Sequence, residues 1–297
     1  MLSNGLRYFI AVAQQGSIRE AATHLGVAQS AISRQIQKLE EEMRLTLFKR
    51  TSQGVRLTAA GDVVLHHAKE MAQQTGRLQD ELDAVRGVRR GHVSICTIES
   101  FANALLPDVL AQFYEQYPEV KLSIRVARTQ SIVDALRAGT CQIGIAFCPT
   151  TDSSLVSLAS RSEPHHAILA SNHPLIGHDQ LRLHQLLAYP IIAPQPHGGS
   201  RALFDQSWES ESLTCQPVME TNSINVAAGL ILRSQAIAVA SINRIQIYLA
   251  DGRLNAIPIA SPILAKGRTD LLVRRNQRLP PAAEAFARAV ARALSTA

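Results

Sequence analysis

The stretch "AQSAISRQIQKLEEEM", residues 28–43, reads as one amphipathic helix with two unlike faces. Ile32, Ile36, Leu39 and Met43 recur at helical spacing and form a stripe for burial. The other face opens with Gln29, Ser30, Ser33, Arg34 and Gln37, and turns acidic only at Glu40 to Glu42. Folding alone does not call for short polar groups, amides and a guanidinium at an exposed helix start, so the flanking segments decide what this face is for.

Upstream, Leu6, Phe9, Ile10 and Ala13 mark a helix that ends near Gly16. Ser17 then begins "SIREAATHL", and Glu20 follows at the spacing of a capping box. That helix closes at Leu25-Gly26, where glycine supplies the left-handed conformation of a tight turn. Two helices across a Gly-containing turn make a helix-turn-helix, whose second helix keeps one face free to enter a groove. Downstream, "RLTLFKRTSQGVRLTAAG" (residues 44–61) holds short strands around Leu45 to Phe48 and Val55 to Leu57, flanking a basic turn; this reads as a β-wing.

From Thr58 to about Arg89 one long helical pattern follows. Leu57, Val64, Met71, Leu78 and Val85 are seven apart, and Gly61, Ala68, Thr75 and Leu82 fall between them. A heptad repeat of this length is a coiled-coil seam and implies a partner helix, the alternative being a helix lying on the protein's own surface. "RGVRRGHV" (residues 86–93) reads as a hinge. Beyond it, strands at Val93 to Ile98, Val120 to Val126 and Cys141 to Phe147 alternate with helices at Leu105 to Tyr117 and Ser131 to Ala138. Such alternation predicts a parallel sheet with helices on its faces. The pattern repeats more loosely from Ile191 to Ile259, then gives a strand near Asp270 to Val273 and a closing helix from Pro281 to Leu294.

The expected fold is therefore α+β and multidomain. A winged helix-turn-helix occupies residues 1–58, a linker helix for dimerisation residues 59–89, and a two-lobed α/β domain residues 90–297. Its first lobe takes about 91–162 and 265–297 and its second about 163–264, with a ligand cleft between them.

Composition agrees with this division. Apolar residues are 46% of the 297, as in a globular protein. No apolar run is long enough for a transmembrane helix, so no membrane partner is expected. The N-terminus has no basic start or small-residue cleavage site and is not read as a signal peptide. The net charge of +6 is uneven: residues 1–58 carry eight Lys/Arg against four acids, residues 91–297 seventeen against fifteen. A basic N-terminal unit favours a polyanionic partner. Cys96, Cys141, Cys148 and Cys215 show no C-x-x-C spacing, which fits reduced thiols in a cytoplasmic protein.

The N-terminal block resembles the DNA-binding domain of LysR-type transcriptional regulators. The resemblance rests on "S-x-x-x-A-A-x-x-L" from Ser17, "Q-x-A-I-S-R-Q-I-x-x-L-E" from Gln29, "L-F-x-R" from Leu47 and "L-T-x-A-G" from Leu57. The order of elements matches along the whole chain, including the linker helix and a C-terminal domain like a periplasmic binding protein. The resemblance implies a regulator that binds double-stranded promoter DNA as dimers paired into tetramers, acts with RNA polymerase, and is tuned by a small effector between its lobes. Two departures stand out. Ala28 and Ser30 stand where the family usually has Ser and Pro, and "GLILRSQAIAVASINRI" (residues 229–245) lacks the family's second Gly and its Pro.

In this light Gln29, Ser30 and Arg34 are candidates for base edges: Gln reads adenine, Arg reads guanine, and Ser, including Ser33, contacts bases or phosphates. Lys38, Lys49, Arg50, Thr51 and Arg56 suit phosphate contacts, which position the protein without reading sequence. In the effector domain, loops at the C-terminal ends of strands converge on the cleft. They supply Glu99, Ser100 and Phe101, then Thr129 and Gln130, then Phe147, and from the second lobe Ser200, Thr221 and Asn222. Ser100 and Ser200 precede helices, whose N–H groups attract anions. Glu99 would repel an anion, so either the effector also carries a cationic or donor group, or Glu99 turns away.

The histidines lack the spacing of a metal pair, and no cofactor is expected. "HGGS" (residues 197–200) lacks the G-x-S-x-G elbow and the Walker lysine, so no enzyme activity is expected. A thiol redox-sensing transcription factor is the alternative reading; Cys215 has no second Cys near it in sequence.

Overall fold

A computed structural model describes residues 3–51, 54–85, 91–148, 152–196 and 198–296. The chain divides into two compact units, residues 1–88 with 138–140, and residues 89–137 with 141–297.

In the first unit, α1 (Asn4–Gln15), α2 (Ile18–Leu25) and α3 (Gln29–Met43) are followed by strands β1 (Phe48–Thr51) and β2 (Gly54–Leu57) and the long helix α4 (Ala59–Val85). The helix ends follow from local chemistry. Ser17 Oγ accepts from Glu20 N at 3.3 Å, and Gly16 and Gly26 close α1 and α2 with φ near +65°. Helix α3 starts at Ala28 with no side-chain cap. Phe9, Val12, Ala21 and Ile32 are fully buried, and Ile36 and Leu39 nearly so. Met43, expected in the same stripe, is 38% exposed, because α3 ends there and the chain turns away through Arg44 in the left-handed region.

The wing begins later than expected. Leu47 is inserted fully into the core, and the Glu40 carboxylate accepts from Leu47 N (2.6 Å) and Phe48 N (3.1 Å), so strand pairing starts only at Phe48. Gly54, at φ +126°, lies where a Cβ would overlap the Gly16 carbonyl oxygen, which accepts from Val55 N at 2.9 Å. The tip residues Ser52 and Gln53 lie outside the described residues. Thr58 caps α4 by accepting from Gly61 N at 3.0 Å, and a Cβ on Gly61 would overlap the Leu47 carbonyl oxygen. These two contacts give the "L-T-x-A-G" stretch its physical content.

Helix α4 packs Ala60, Val64 and Leu65 against Phe9, Leu39 and Leu47. Farther along, Ala68 is buried but Met71, Leu78 and Leu82 are about half exposed. The repeat thus serves the unit's own core at its start and leaves an uncovered apolar stripe after it. The expected continuation to Arg89 and residues 86–90 of the expected hinge lie outside the described residues, and the last part of that hinge, Gly91 to Val93, instead opens a strand.

The second unit opens with β3 (Gly91–Thr97), the short α5 (Glu99–Asn103), α6 (Leu106–Gln116), β4 (Val120–Val126), α7 (Thr129–Arg137), β5 (Ile143–Phe147) and β6 (Leu155–Ser162). It continues with β7 (His165–Ala170), α8 (Leu183–Leu186), β8 (Ile191–Pro194), α9 (Gly199–Ser210), β9 (Met219–Thr221), α10 (Ile224–Ile231) and β10 (Ile237–Ser241). Helix α11 (Gln246–Ala250), β11 (Leu254–Pro258), β12 (Arg268–Arg274) and α12 (Pro281–Thr296) complete it. Two five-stranded sheets result, in the orders β4-β3-β5-β12-β6 and β11-β7-β10-β8-β9. Helix α12 returns to the first sheet, where Phe286 meets Phe113 of α6 edge-on with ring centres 5.0 Å apart.

The sheets are mixed rather than parallel as expected. β12 runs antiparallel to β5 and β6, and β7 antiparallel to β10 and β11. Strands β6 and β7 escape the sequence reading because β6 is an edge strand with three exposed serines, and β7 opens on two histidines. The chain crosses between the sheets twice, at 163–164 and 259–267. The crossings touch: Glu163 N donates to Gly267 O at 2.7 Å, and a Cβ on Gly267 would overlap the Glu163 carbonyl oxygen.

Candidate functional site

Two surfaces concentrate polar groups that folding does not use. In the first unit, Gln29, Ser30 and Arg34 are exposed along the start of α3, and Ser33 is partly exposed. Lys38, one turn on, is exposed and forms an i,i+4 ion pair with Glu42 at 3.8 Å. On the wing, Lys49 and Arg56 are exposed and directly opposite each other in the β1–β2 register. Like charges so placed repel, and a polyanion relieves the repulsion. Thr51 is exposed with its hydroxyl donating to Gly54 O at 3.2 Å, and Arg50 sits on β1 opposite Val55.

In the second unit a cavity of about 560 Å³ opens between the two sheets. Glu99, Ser100, Thr129 and Phe147 line it from the first lobe, and Ser200, Thr221 and Asn222 from the second. Two expected residues do not reach it. Phe101 points from α5 into the hydrophobic core and is 2% exposed. Gln130 is exposed on α7, where it donates to Asp134 at 3.0 Å.

Much of the wall is committed to holding its own shape. The Thr129 hydroxyl donates to Phe147 O (3.1 Å) and accepts from Phe147 N (3.3 Å), tying the start of α7 to the end of β5. Thr221 accepts from Ser223 N at 3.0 Å. Arg201 is spent on Asp205 (2.8 and 2.9 Å), Glu220 (2.6 Å) and Pro194 O (3.1 Å). A Cβ on Gly199 would stand 2.7 Å from Cys148 Cβ, so glycine is required where α9 meets the first lobe.

The remaining groups favour an anion. The starts of α7, α9 and α10 all contribute to the wall, so unpaired N–H groups and the positive ends of three helix dipoles meet there. Arg128 lines the cavity, and its guanidinium makes no hydrogen bond or ion pair among the described residues. Arg244, in the turn after β10, is largely buried and donates to Asn222 O at 2.7 Å. Its nearest acid is Glu99 of the opposite lobe at 3.8 Å. Burial lowers its pKa below the ordinary arginine value, and Glu99 partly restores it. Glu99 thus faces the cavity with its charge opposed by Arg244.

Histidine and serine also meet here. His165 Nε2 lies 2.8 Å from Ser200 Oγ, beside the Phe147 ring. This pair invites a comparison with a nucleophile and its base. Burial, then the positive charges of Arg244 and His166, hold His165 down to about 3, which makes it a poor proton acceptor. Its Nδ1 has no partner among the described residues, so no carboxylate orients the ring as a catalytic base requires. The pair is suited to donate hydrogen bonds rather than to make an acyl intermediate.

Sequence reasoning missed Arg128, His165 and Arg244. His165 sits on an unpredicted strand, and Arg244 lies in the atypical 229–245 segment, so neither carried a local signal. His197 lies outside the described residues.

Comparisons with known proteins agree with this architecture. Residues 3–62 match the bacterial regulatory helix-turn-helix protein family of the lysR type, and residues 86–295 the LysR substrate binding domain. The RuBisCO operon transcriptional regulator of Allochromatium vinosum is 27% identical over 281 residues, covering 95% of this chain and 92% of that protein. The regulator AlsR of Bacillus subtilis is 29% identical over 228 residues, 76% of each chain. Among solved structures, a variant of full-length OxyR from Pseudomonas aeruginosa superposes with a TM-score of 0.75 at 20% identity, covering 98% of this chain and 94% of that one. CbnR in complex with its target DNA gives a TM-score of 0.64 at 22% identity, covering 97% and 98%. The chain belongs to the LysR family: it is a DNA-binding transcriptional regulator that joins a helix-turn-helix domain to an effector-binding domain.

Proposed function

We propose that the protein is a homo-oligomeric regulator without catalytic activity, acting in the cytoplasm, whose effector is a small anion held between the two lobes. The observation that carries the effector reading is the unbalanced positive character of the 560 Å³ cavity. Three helix starts, the unpaired Arg128 guanidinium and the largely buried Arg244 face Glu99, the sole acid of the wall among the described residues. Ser100 and Ser200 supply hydroxyl donors, with His165 behind Ser200. Glu99 serves as the resting counter-ion of Arg244, so the effector needs no cationic group.

At the other end, α3 enters the major groove, with Gln29, Ser30, Ser33 and Arg34 at base edges and Lys38, Lys49, Arg50, Thr51 and Arg56 on phosphates. Met71, Leu78 and Leu82 of α4 form the seam with a second copy, since exposed apolar side chains at this spacing gain from a partner helix. Dimers pair into tetramers, the winged domain takes residues 1–58, the linker 59–89 and the effector domain 90–297, and RNA polymerase is the partner at the promoter. No helix among the described residues is long and apolar enough to cross a membrane.

Sedimentation and DNA binding by the full chain test this reading. The wild type is expected to sediment as a dimer or tetramer and to retain promoter fragments at low salt. Leu78→Glu with Leu82→Glu should shift it toward monomer and weaken DNA binding at least about tenfold, through loss of the second half-site. Unchanged assembly in the double variant would discard the α4 seam.

A further inference from the structure

The cavity draws one free cation from each lobe, and a single carboxylate is shared between them. The β3–β4 register pairs Thr97 with Val126, and Ala127 N donates to Thr97 O at 2.9 Å. Glu99 and Arg128 each follow that pair by two residues, at the ends of neighbouring strands about 4.8 Å apart. Both line the first lobe's side of the cavity, yet they form no ion pair with each other among the described residues. Glu99 instead reaches across the cleft to Arg244 of the second lobe, at 3.8 Å. Among the described residues this is the one ion pair that joins the lobes.

That pair is loosely made. A separation of 3.8 Å exceeds hydrogen-bonding reach, and the Glu99 carboxylate has no other partner among the described residues. Arg244 spends one N–H on Asn222 O at 2.7 Å, which leaves most of its guanidinium fork unfilled. Its position does not depend on Glu99. The contact with Asn222 holds the side chain, and the neighbouring Asn243 anchors the turn by donating to the buried Glu163 carboxylate at 2.7 Å. Arg201 is no third cation, because Asp205 and Glu220 already occupy it.

We propose that the effector carries two acid groups, one bound on each lobe, and that the second displaces Glu99 from Arg244. The proposal rests on the reading of the cleft as an anion site and narrows it to a dianion with separated charges, a dicarboxylate or a phosphorylated carboxylate. While Glu99 stays at Arg244, the free cation of the wall is Arg128, and one acid group satisfies it together with the start of α7. A monoanion gains little by moving to Arg244: it replaces one carboxylate by another and leaves Glu99 unpaired beside it. A dianion anchored at Arg128 presents its second group to Arg244 at high effective concentration. There it takes the hydrogen bonds that Glu99 does not make, with Ser200 and the uncapped starts of α9 and α10 adding donors. The cavity of about 560 Å³ has room for a chain of several carbons between the two groups. Binding thus exchanges an ion pair between the lobes for a ligand bridge between them.

The test is calorimetry on the full-length protein with three sets of probes: straight dicarboxylates from malonate to pimelate, phosphoglycolate, and the straight monocarboxylates of matching length. At least one dianion is expected to bind at least about tenfold more tightly than the monocarboxylate of the same carbon number. The preferred member shows whether the second group is carboxylate or phosphate. Arg128→Gln and Arg244→Gln should each weaken that dianion at least about tenfold, while Glu99→Gln should tighten it severalfold by removing the competing carboxylate. A gain of affinity cannot come from a damaged fold, so Glu99→Gln keeps the test decisive even if an arginine variant misfolds. Monocarboxylates bound as tightly as every dianion would overturn the proposal while leaving an anion site that reads one charge. Dianion affinity unchanged or lowered in Glu99→Gln would overturn the displacement. If no probe of any set binds, the reading of the cleft as an anion site fails, and the proposal fails with it.

Discussion

Replacing Glu40 with Ala should loosen the wing without disturbing the recognition helix. One carboxylate oxygen, Oε1, accepts from both Leu47 N (2.6 Å) and Phe48 N (3.1 Å), the two amides that open the wing. A hydrogen bond to a charged acceptor contributes about 1.5–3 kcal/mol when its site is shielded. The site is only part-buried, so water recovers some of the loss in the variant, and about 2–3 kcal/mol remains for the pair. At 1.4 kcal/mol per tenfold, opening of this segment becomes about 30- to 150-fold more frequent. Hydrogen exchange of the full-length protein reads this directly at the Leu47 and Phe48 amides. Glu40→Gln keeps an acceptor without its charge, so it should show about half the effect in free energy. Glu41→Ala, one residue on and exposed, should show none. Because the wing carries Lys49 and Arg56, DNA affinity should fall with wing order. Exchange at Leu47 and Phe48 within twofold of wild type in Glu40→Ala, or an equal effect from Glu41→Ala, would refute the reasoning.

Other perturbations have equally defined outcomes. Gly61→Ala forces a Cβ against the Leu47 carbonyl and within 2.9 Å of Leu57 Cδ2, and should cost the first unit about 1–3 kcal/mol in urea unfolding. Arg34→Ala should relax discrimination at a single base pair by about 1–3 kcal/mol, whereas Lys49→Ala should weaken all sequences alike and lower the salt slope of binding by about one. His165 titrates near its ordinary 6.5 when unfolded but at about 3 when folded, so between those values the unfolded chain holds the extra proton. Stability of the second unit should therefore be level above pH 6.5 and fall by up to about 1.4 kcal/mol per pH unit below it. His165→Gln should flatten that fall in urea titrations at pH 5 and 7, leaving the smaller contributions of His166 and His173, which burial also depresses.

The recognition helix, the turn before it and the α/β alternation were legible because each is local. A Ser cap and a Gly close suffice to write α2, stripe spacing suffices to write α3, and Ile32, Ile36 and Leu39 are buried as their spacing requires. Local reading failed where a partner lies far along the chain. Glu40 looked like part of an acidic surface, yet it holds amides seven and eight residues away. The first heptads read as a seam between copies, yet Val64 serves the unit's own core. Phe101 followed a strand as a cleft residue should, but α5 turns its side chain inward. His165 and Arg244 enter the cleft from positions where sequence shows only a His pair and an atypical segment, and their roles depend on Ser200 and Glu99 across the fold.

The central claim is that a small anion binds between the lobes through Arg244 and the serine-bearing helix start. A thermal-shift screen of anionic metabolites against the full-length protein finds binders by mass action, and calorimetry then gives their affinity in the wild type, Arg244→Gln and Ser200→Ala. The account predicts anionic binders whose affinity drops at least about tenfold in Arg244→Gln and severalfold in Ser200→Ala, since a charge-assisted contact is lost in the first and a hydroxyl donor in the second. Binders held with undiminished affinity by both variants, or neutral and cationic compounds preferred over anions, would contradict it.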